Sequence, residues 1–399
     1  MEFFADNVRR DPYPFYEGLR ADSPVVHDAR TDVWMLLDHD SVRRALNDHE
    51  VFSSAVVAPP AMTSQWLVFN DQPRHTRLRA LISRGFTPRA VAAMEPRIRE
   101  LARELLAAAR GREVFDLVDE FAVPLPLRVI AELFGAPAED LPLYRRWSDV
   151  IMALGYSIAG GEAAARVHAE FAAVTAEMHA YLERLTAARR ASGRDDLLTR
   201  LVAAEVAGEQ LTADELLGFF QLLLSAGHET TTNLIANAVL CLIEHPSEQA
   251  RLRQAPELLG TAIEEVLRHR SPVQAMFRVT RQPVELHGRT IPAGRMVMPM
   301  IGAANRDRAV FADPHTFDVT RDPNPHLAFG HGIHFCVGAP LSRLEARVAL
   351  GELLASFSRI ELADDAPWEP RRAIHVLGPT HLRLRCAEVE VGEAAWRMS

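Results

Sequence analysis

Apolar and polar residues recur at helical spacing along most of the chain, and they suggest strands only over short stretches. From Arg89 to Arg190 the sequence is rich in Ala, Leu, Glu and Arg, which predicts a series of helices. Pro96 suits the first position of one of them, PRIRELARELLAAAR. The stretch PVVHDARTDVWMLLDHD predicts two strands joined by a turn at Thr31-Asp32.

The clearest single element is predicted from Thr212 to about His245. Thr212-Ala-Asp-Glu215 has the spacing of a capping box, which satisfies free backbone donors at a helix start. Pro246 ends the pattern, so we expect a helix of roughly 30 residues, about 45–50 Å long. Its middle, FFQLLLSAG, is almost entirely apolar and should be buried.

The second half of the chain combines helices with turn-rich extended segments. PELLGTAIEEVLRHR should stop before Pro272, because the residue that precedes a proline avoids helical geometry. Gly288 and Gly294 mark turns in the extended stretch that follows, and APLSRLEARVALGELLASF predicts a last helix. No alternation of strands and helices suggests a doubly wound sheet. We expect one mainly helical domain, residues 1–399, with small satellite sheets.

Composition narrows the function classes. Hydrophobic residues make up 48% and charged residues 24% of the chain, as in an ordinary globular protein. The net charge of −9 argues against nucleic acid as a general partner. We find no apolar run of about 18 residues and no secretory h-region at the N-terminus. We therefore expect a cytoplasmic protein that does not enter a membrane.

Cysteine is rare, and one copy has an unusual setting. Cys241, Cys336 and Cys386 show no CxxC spacing, so a disulfide framework is not indicated. Cys336 lies in FGHGIHFCVG, directly before the last predicted helix, whose N-terminus favours a thiolate. Gly332 and Gly338 would let the backbone turn tightly and approach something large and flat.

The residues alone leave several interpretations of this cysteine open. It could pack as a small hydrophobe, or bind zinc together with His331 and His334. Structural zinc usually needs four ligands, often in CxxC pairs, which the chain lacks. A catalytic thiol would need a histidine base nearby in space, which sequence cannot exclude.

FGHGIHFCVG resembles the haem-binding loop of the cytochrome P450 superfamily, whose pattern is matched by Phe329, Gly332, Cys336 and Gly338. The resemblance extends over nearly the whole chain and is greatest to soluble bacterial members. It implies haem b with Cys336 as the axial iron ligand, Phe329 packing against the haem, and Gly332 and Gly338 giving it clearance. It also implies the family's fold, mainly α with small β-sheets, a helical triangular prism around a buried haem.

AGHETT, residues 226–231, is similar to the family's oxygen-activation motif. Glycine inside a helix costs about 1 kcal/mol relative to alanine, and threonine hydroxyls can bond carbonyls one turn back. Together Gly227 and the threonines would open a groove in the helix wall. The resemblance implies that Ala226 and Gly227 lie against the haem. It also implies that Glu229 and Thr230 organise water and deliver protons.

Charged residues at family positions complete the resemblance. Glu265 and Arg268 are similar to the family's ExxR pair, and Arg321 takes the place of its third member. The resemblance gives these three a structural role in a buried charge network. The residues that correspond to haem propionate contacts are His75, Arg79, Arg278 and His334.

Substrate and redox partner are defined only by class. An apolar pocket would suit a terpenoid, polyketide, aromatic or peptide-derived molecule. Its candidate lining residues are Trp66, Leu67, Phe69, Leu223, Val273 and Met276. The chain has no flavin or nicotinamide fingerprint, so we expect electrons to come from a separate ferredoxin and ferredoxin reductase. We also expect a monomer. Arg343 and Arg347 could face that carrier, although a solvated helix face explains them almost as well.

The resemblance therefore implies a monooxygenase that inserts one oxygen atom from O2 into an apolar small molecule, by hydroxylation or epoxidation, in secondary metabolism. Two alternatives remain: a peroxide-driven enzyme of the same fold, and a haem-binding sensor without catalysis. The Glu229-Thr230 pair argues against the first, because relatives that use peroxide often lack it. A preserved dioxygen groove argues against the second. The sequence does not name the substrate, the position oxidised or the native carrier.

Overall fold

The structure is a computed structural model that describes residues 5–55, 65–155, 161–192 and 196–389. The chain divides into two compact units. Unit 1 comprises Met1–Ser53, Glu95–Leu125 and Thr230–Ser399, and unit 2 comprises Ser54–Met94 and Pro126–Glu229. The expectation of a single domain, residues 1–399, stays a prediction.

Helices dominate both units. The α-helices of the described residues are α1 (Asp6–Arg10), α2 (Tyr13–Asp22), α3 (His39–Asn47), α4 (Arg74–Gly85), α5 (Pro88–Ala92), α6 (Glu95–Ala109), α7 (Pro124–Leu133), α8 (Leu141–Ala153), α9 (Gly161–Ser192), α10 (Leu197–Ala203), α11 (Ala213–Ala226), α12 (Glu229–Glu244), α13 (Pro246–Gln254), α14 (Leu259–His269), α15 (Ile301–Ala304) and α16 (Ala339–Ser356). The strands are β1 (Val25–Asp28), β2 (Val33–Leu36), β3 (Phe52–Ser53), β4 (Val114–Asp116), β5 (Arg278–Thr280), β6 (Val284–Leu286), β7 (Arg289–Ile291), β8 (Met296–Pro299), β9 (Phe357–Leu362) and β10 (Arg383–Glu388). The predicted fold class, mainly α with small sheets, is confirmed.

All ten of these strands belong to unit 1. They form a five-stranded sheet in the order β1-β2-β8-β5-β3, a three-stranded sheet β4-β10-β9 and the hairpin β6-β7. β1 and β2 are antiparallel and in register from Val25 opposite Leu36. Asp32 at their turn has φ 54°, and Gly288 and Gly294 have φ 70° and 74° at the later turns. The predicted strand pair and turns are confirmed.

Apolar side chains from the five-stranded sheet and α3 form one core of unit 1. Leu36, Phe52 and Val297 are fully buried in it. The long helix α16 packs against both α6 and α14. Because Cys336 lies just before α16, this packing fixes the position of the cysteine loop within unit 1.

Unit 2 contains a cluster of aromatic side chains from α8, α9 and α11, together with Phe134, which directly follows α7. The ring of Phe220 lies 4.9 Å from that of Phe134 and 5.5 Å from that of Tyr144. Trp147 packs 6.0 Å from Phe220 and 5.2 Å from Tyr181. Edge-to-face pairs of this kind stabilise a core beyond the area that they bury, so α11 is firmly seated in unit 2.

The helix predicted from Thr212 to His245 is the main correction. Its start is confirmed, because the Thr212 and Glu215 side chains make both hydrogen bonds of a capping box. Instead of one element, however, α11 ends at Ala226 and α12 begins at Glu229. The helical chain is interrupted at Gly227-His228, within the motif that was predicted to open a groove. The helix predicted from Pro96 begins one residue earlier, at Glu95.

Candidate functional site

The cysteine loop is shaped by two glycines and by one backbone hydrogen bond that spans the loop. Gly330 and Gly332 have φ 74° and 69°, a region that L-residues other than glycine adopt at a cost. The Cys336 N–H donates to the Phe329 carbonyl at 2.9 Å and closes the loop. Gly338 then leads directly into α16. The loop holds Cys336 as a partly exposed thiol, not joined in a disulfide, just before a long helix.

The two glycines that flank the cysteine have different surroundings. A Cβ at Gly332 would lie 2.8 Å from Asn47 Oδ1 and 3.0 Å from Asn47 Cα, so contact with the end of α3 requires glycine there. A Cβ at Gly338 would meet only Cys336 Sγ, at 3.9 Å, among the described residues. Space beside the thiol is therefore open at Gly338, as a flat cofactor would need. For Gly332 the structure offers a reason within the protein itself.

The aromatic side chains of the loop are also ordered. The Phe329 ring lies 6.3 Å from the Phe335 ring, and the Arg343 guanidinium lies over its face at 4.4 Å. A cation above an aromatic ring is attracted by the ring's quadrupole. Phe335, next to Cys336, remains 42% exposed. Arg343 on α16 therefore holds the Phe329 ring in place. Phe329 is the residue that the resemblance assigns to packing against the haem.

In the oxygen-activation motif, solvent access changes abruptly. All residues from Thr231 to Leu242 on α12 are buried, as are Leu223 and Leu224 on α11. Between these buried stretches Ala226 is exposed, and Gly227, Glu229 and Thr230 are partly exposed. Ala226, Gly227, Glu229 and Thr230 thus form an accessible patch along the chain. Three of these four residues are polar or lack a side chain.

Gly227 is required at the helix interruption for steric reasons. A Cβ there would lie 2.7 Å from the Leu223 carbonyl oxygen and 3.2 Å from Ile130 Cδ1. Backbone cannot move away cheaply, so alanine would shift the chain at the motif. This contact explains why a residue that is unfavourable in helices occurs here.

The threonines after Thr230 have partners within unit 1. Thr231 Oγ1 donates to Ser342 Oγ on α16 at 3.2 Å, and Thr232 Oγ1 donates to the Ala122 carbonyl at 2.9 Å. Both side chains are buried. They connect α12 to its neighbours, which leaves Thr230 as the threonine of the motif that lies in the accessible patch.

Glu265, Arg268 and Arg321 form one network. Arg268 binds Glu265 in a bidentate pair at 2.7 and 2.8 Å, with both side chains fully buried. Arg321 Nε donates to Glu265 at 3.2 Å. The carboxylate also accepts from Asn324 Nδ2 at 3.2 Å and from the Asp318 N–H at 3.0 Å. The remaining Arg268 donors reach the carbonyls of Asn305, Pro314 and Thr316. A buried carboxylate with this many donors is fully compensated.

The four candidate propionate residues fall into two pairs. Arg278 on β5 is 3% exposed, and its guanidinium donates to the Phe277 carbonyl at 2.8 Å. His334 ends the short 3₁₀ turn that precedes the cysteine. Both lie in unit 1. His75, 2% exposed, and Arg79, half-buried, lie four residues apart on α4 in unit 2, a spacing that puts them on one helix face.

A second charge network, which sequence reasoning missed, joins α14 to α16. Arg343 binds Glu264 in a bidentate pair at 2.7 and 2.8 Å, and His326 Nε2 lies 3.0 Å from the same carboxylate. Burial opposes ionisation of Glu264, but Arg343 and His326 lower its pKa to about 2. Arg347 binds Glu95 on α6 at 2.6 Å. The two arginines suggested as carrier contacts are therefore already paired with glutamates.

The candidate pocket residues are largely covered by protein. Trp66 is 7% exposed, its indole N–H donates to Gln221 Oε1 at 3.0 Å, and its ring stacks on Phe69 at 5.9 Å. Leu67 and Leu223 are 5% and 7% exposed. In unit 1, Val273 and Met276 pack against the sheet core. Residues 56–64, which precede Trp66 in the chain, lie outside the described residues.

No helix in the described part of the chain is both long and apolar enough to span a membrane.

Comparison with known proteins identifies the family. A family model described as Cytochrome P450 matches residues 160–382. The chain is 42% identical over 389 residues to Cytochrome P450 109 of Bacillus spizizenii, with 96% of this chain and 94% of that protein covered. It is 41% identical over 395 residues to the cytochrome P450 monooxygenase PikC of Streptomyces venezuelae, covering 94% and 91% of the two chains.

A solved structure agrees with these sequence matches. CYP109E1 from Bacillus megaterium, in complex with testosterone, superposes with a TM-score of 0.86 at 38% identity, covering 94% of this chain and 99% of that one. The resemblance first suggested by the loop around Cys336 is confirmed over almost the full length. The chain belongs to the cytochrome P450 family of monooxygenases.

Proposed function

We propose that this protein inserts one oxygen atom from O2 into an apolar small molecule, by hydroxylation or epoxidation, with electrons from a separate ferredoxin and its reductase. The observation that carries the proposal is the accessible patch at Ala226, Glu229 and Thr230, flanked by buried helix on both sides. A polar patch retained inside an apolar helical stretch needs a functional reason. Dioxygen and water would meet the protein there.

The residues of the cysteine loop fit a haem. Cys336 would supply the thiolate ligand, Gly338 leaves space beside the sulfur, and Phe329 offers a fixed aromatic ring. We assign haem b, with His75, Arg79, Arg278 and His334 binding its propionates. When bound through a thiolate, such a haem supplies the activation of O2, because the ligand favours cleavage of the O–O bond.

Glu229 and Thr230 are assigned to proton delivery. Both residues are partly exposed, although Glu229 Oε1 is itself buried. A carboxyl group can take a proton from water and pass it on, and a hydroxyl can hold a water molecule in line by donating and accepting. Glu265 and Arg268 are fully buried, and Arg321 binds the same carboxylate, so these three are assigned a folding role.

The substrate is proposed to be large and apolar. The candidate pocket residues are aromatic or aliphatic, the side-chain types that favour such ligands: Trp66, Leu67, Phe69, Leu223, Val273 and Met276. CYP109E1, with which this chain shares 38% identity, was solved with testosterone. Testosterone is therefore the first probe of substrate binding.

The ion pairs of Arg343 with Glu264 and of Arg347 with Glu95 bear on the carrier. If the carrier docks at α16, it meets guanidinium groups that are already paired with carboxylates, so attraction to an acidic ferredoxin is reduced. We expect a transient complex whose rate of formation falls with salt.

The experiment is turnover of testosterone by the haem-loaded protein with a [2Fe–2S] ferredoxin, its reductase and reduced nicotinamide, compared with peroxide alone. Products formed only with the carrier support the proposal. Products formed equally well with peroxide alone would favour a peroxygenase. A reduced, CO-treated sample that lacks the long-wavelength Soret band of thiolate ligation would contradict the role of Cys336.

Thr230→Ala tests the proton-delivery assignment directly. We expect the variant to load haem and bind testosterone as the wild type does. Reducing equivalents should be diverted to peroxide, which lowers the product formed per nicotinamide consumed. Thr231→Ala is the matched control, because Thr231 is buried and bonded to Ser342. Unchanged coupling in Thr230→Ala would overturn the assignment.

A further inference from the structure

His228 lies between Gly227 and Glu229 in AGHETT, and the proposed function gives it no role. It is 6% exposed, whereas Gly227 and Glu229 on either side are partly accessible. Its side chain is therefore directed into unit 2 at the point where α11 ends.

The imidazole meets a hydroxyl from another helix. Ser148 on α8 is fully buried, and its Oγ lies 2.9 Å from His228 Nδ1. The same hydroxyl donates to the Leu224 carbonyl at 3.3 Å. Leu224 is in the last turn of α11, where carbonyl groups need partners from outside the helix. One serine thus contacts both the backbone before the interruption and the side chain within it.

The tautomer of His228 sets the direction of its bond to Ser148. A serine hydroxyl has one hydrogen and can accept at its lone pairs. Both bonds of Ser148 are therefore made together in the tautomer whose Nδ1 carries the hydrogen: Nδ1–H donates to Ser148 Oγ, and the hydroxyl donates to the Leu224 carbonyl.

We propose that Ser148 and His228 form a clamp that fixes the helix interruption and so sets the direction of Glu229 and Thr230. His228 is thus a positioning residue for proton delivery. This inference rests on the proposed function of those two residues.

A clamp is needed because Gly227 by itself does not fix the helix interruption. Gly227 has φ −82° and ψ −30°, which is compatible with a helix, and its N–H still donates to the Leu223 carbonyl at 2.9 Å. Glycine permits the interruption without enforcing it. A change of one residue in helical phase rotates a side chain by about 100°, enough to turn Thr230 out of the accessible patch. The clamp holds the phase through buried bonds, which are costly to leave unmade.

Four variants separate a clamp from simple packing. His228→Asn places an amide nitrogen near the position of Nδ1 and can keep the bond to Ser148. His228→Gln reaches the position of Nε2 instead and cannot. Ser148→Ala removes the hydroxyl with little change of volume, and the double variant Ser148→Ala/His228→Gln completes a cycle.

The first readout is hydrogen exchange of the backbone amides in residues 224–231 of the haem-loaded protein, measured by mass spectrometry. We expect exchange to rise roughly 5- to 10-fold in Ser148→Ala and in His228→Gln, the factor for one lost buried hydrogen bond. His228→Asn should stay near wild type, and the double variant should add little to either single change. Equal exchange in the Asn and Gln variants, or additive effects in the double variant, would overturn the clamp.

The second readout is product per nicotinamide consumed, with testosterone as probe. Coupling should fall in Ser148→Ala and His228→Gln and be retained in His228→Asn, while haem content and the CO spectrum stay unchanged. Thr230→Ala is measured alongside. If Thr230→Ala loses coupling and the clamp variants do not, the clamp is wrong and the proposed function stands. If Thr230→Ala keeps coupling, the proposed function itself fails, whatever exchange shows. Should His228→Gln not fold, Ser148→Ala against His228→Asn decides by the same criteria.

Discussion

Glu265 and Glu345 lie on two helices of unit 1 that pack together, α14 and α16, and both are buried, yet their surroundings are opposite. Glu265 receives hydrogen bonds from two arginines, an asparagine and a backbone N–H. Glu345 Oε2 has no hydrogen-bond partner among the described residues. Burial raises the pKa of Glu345 to about 8.

The difference shows that burial alone does not decide what a carboxyl group contributes. A buried carboxylate is stable where donors replace the water that it loses, and it takes up a proton where they do not. The Glu265 network ties α14 to the segment between residues 305 and 324. Glu345 makes no such link, and its charged form destabilises the folded state.

The largest effect is expected from removing Arg268, the main partner of the compensated carboxylate Glu265. Arg268→Ala leaves Glu265 buried with its principal partner removed, so we expect a loss of about 3–5 kcal/mol of unfolding free energy. Much of the protein should be insoluble or free of haem. Urea unfolding and haem content measure the effect. Arg251→Ala is the control, because its side chain is 50% exposed and its ion pairs should contribute little. Normal haem loading in Arg268→Ala would contradict the interpretation.

A smaller effect, of opposite sign, is expected at Glu345. Its pKa is raised in the folded state, so stability is full below the unfolded value near 4.5 and falls as pH rises towards 8. Glu345→Gln removes this loss with nearly the same shape. At pH 8 the variant should be more stable than wild type by about 1.4 kcal/mol or more, the equivalent of one pKa unit. At pH 5 the two proteins should differ little. A variant that is less stable than wild type at pH 8 would show that the carboxylate has a partner.

The smallest effect is expected at Glu264, which is paired but partly exposed. Its pKa is lowered to about 2, so the stability contributed by its pairing with Arg343 is present above pH 4.5 and is lost as pH falls towards 2. Arg343→Ala should cost about 1 kcal/mol at pH 7, because solvent screens the pair. The gap to wild type should narrow on acidification. Thermal unfolding at pH 7 and pH 3 measures this, and a gap that widens at pH 3 would refute the assignment.

Local signals in the sequence located much of the fold. The capping box of Thr212 and Glu215, the helix end before Pro272 and the turns at Gly288 and Gly294 are confirmed. Each depends on residues within a few positions of one another, so the local sequence alone restricts the backbone conformation. Glu265 and Arg268 are likewise one helical turn apart, and their pairing follows from helix geometry.

Contacts between distant segments were not predictable in the same way. The interruption at Gly227-His228 depends on the Leu223 carbonyl but also on Ile130 and Ser148, which belong to other helices. Gly332 is required by Asn47, and Arg343 is neutralised by Glu264. No periodicity relates such residues, because tertiary packing alone brings them together.

The sequence by itself determined the family, the helical class of the fold and the identity of the thiol-bearing loop. These depend on short motifs and on spacings that repeat along one helix or one turn. Only the tertiary structure decided where the long helical stretch is interrupted, which threonine of the motif remains accessible, and which buried carboxyl group is compensated. Burial and hydrogen-bond partners depend on what lies around a side chain, and that is set by segments far away in the chain.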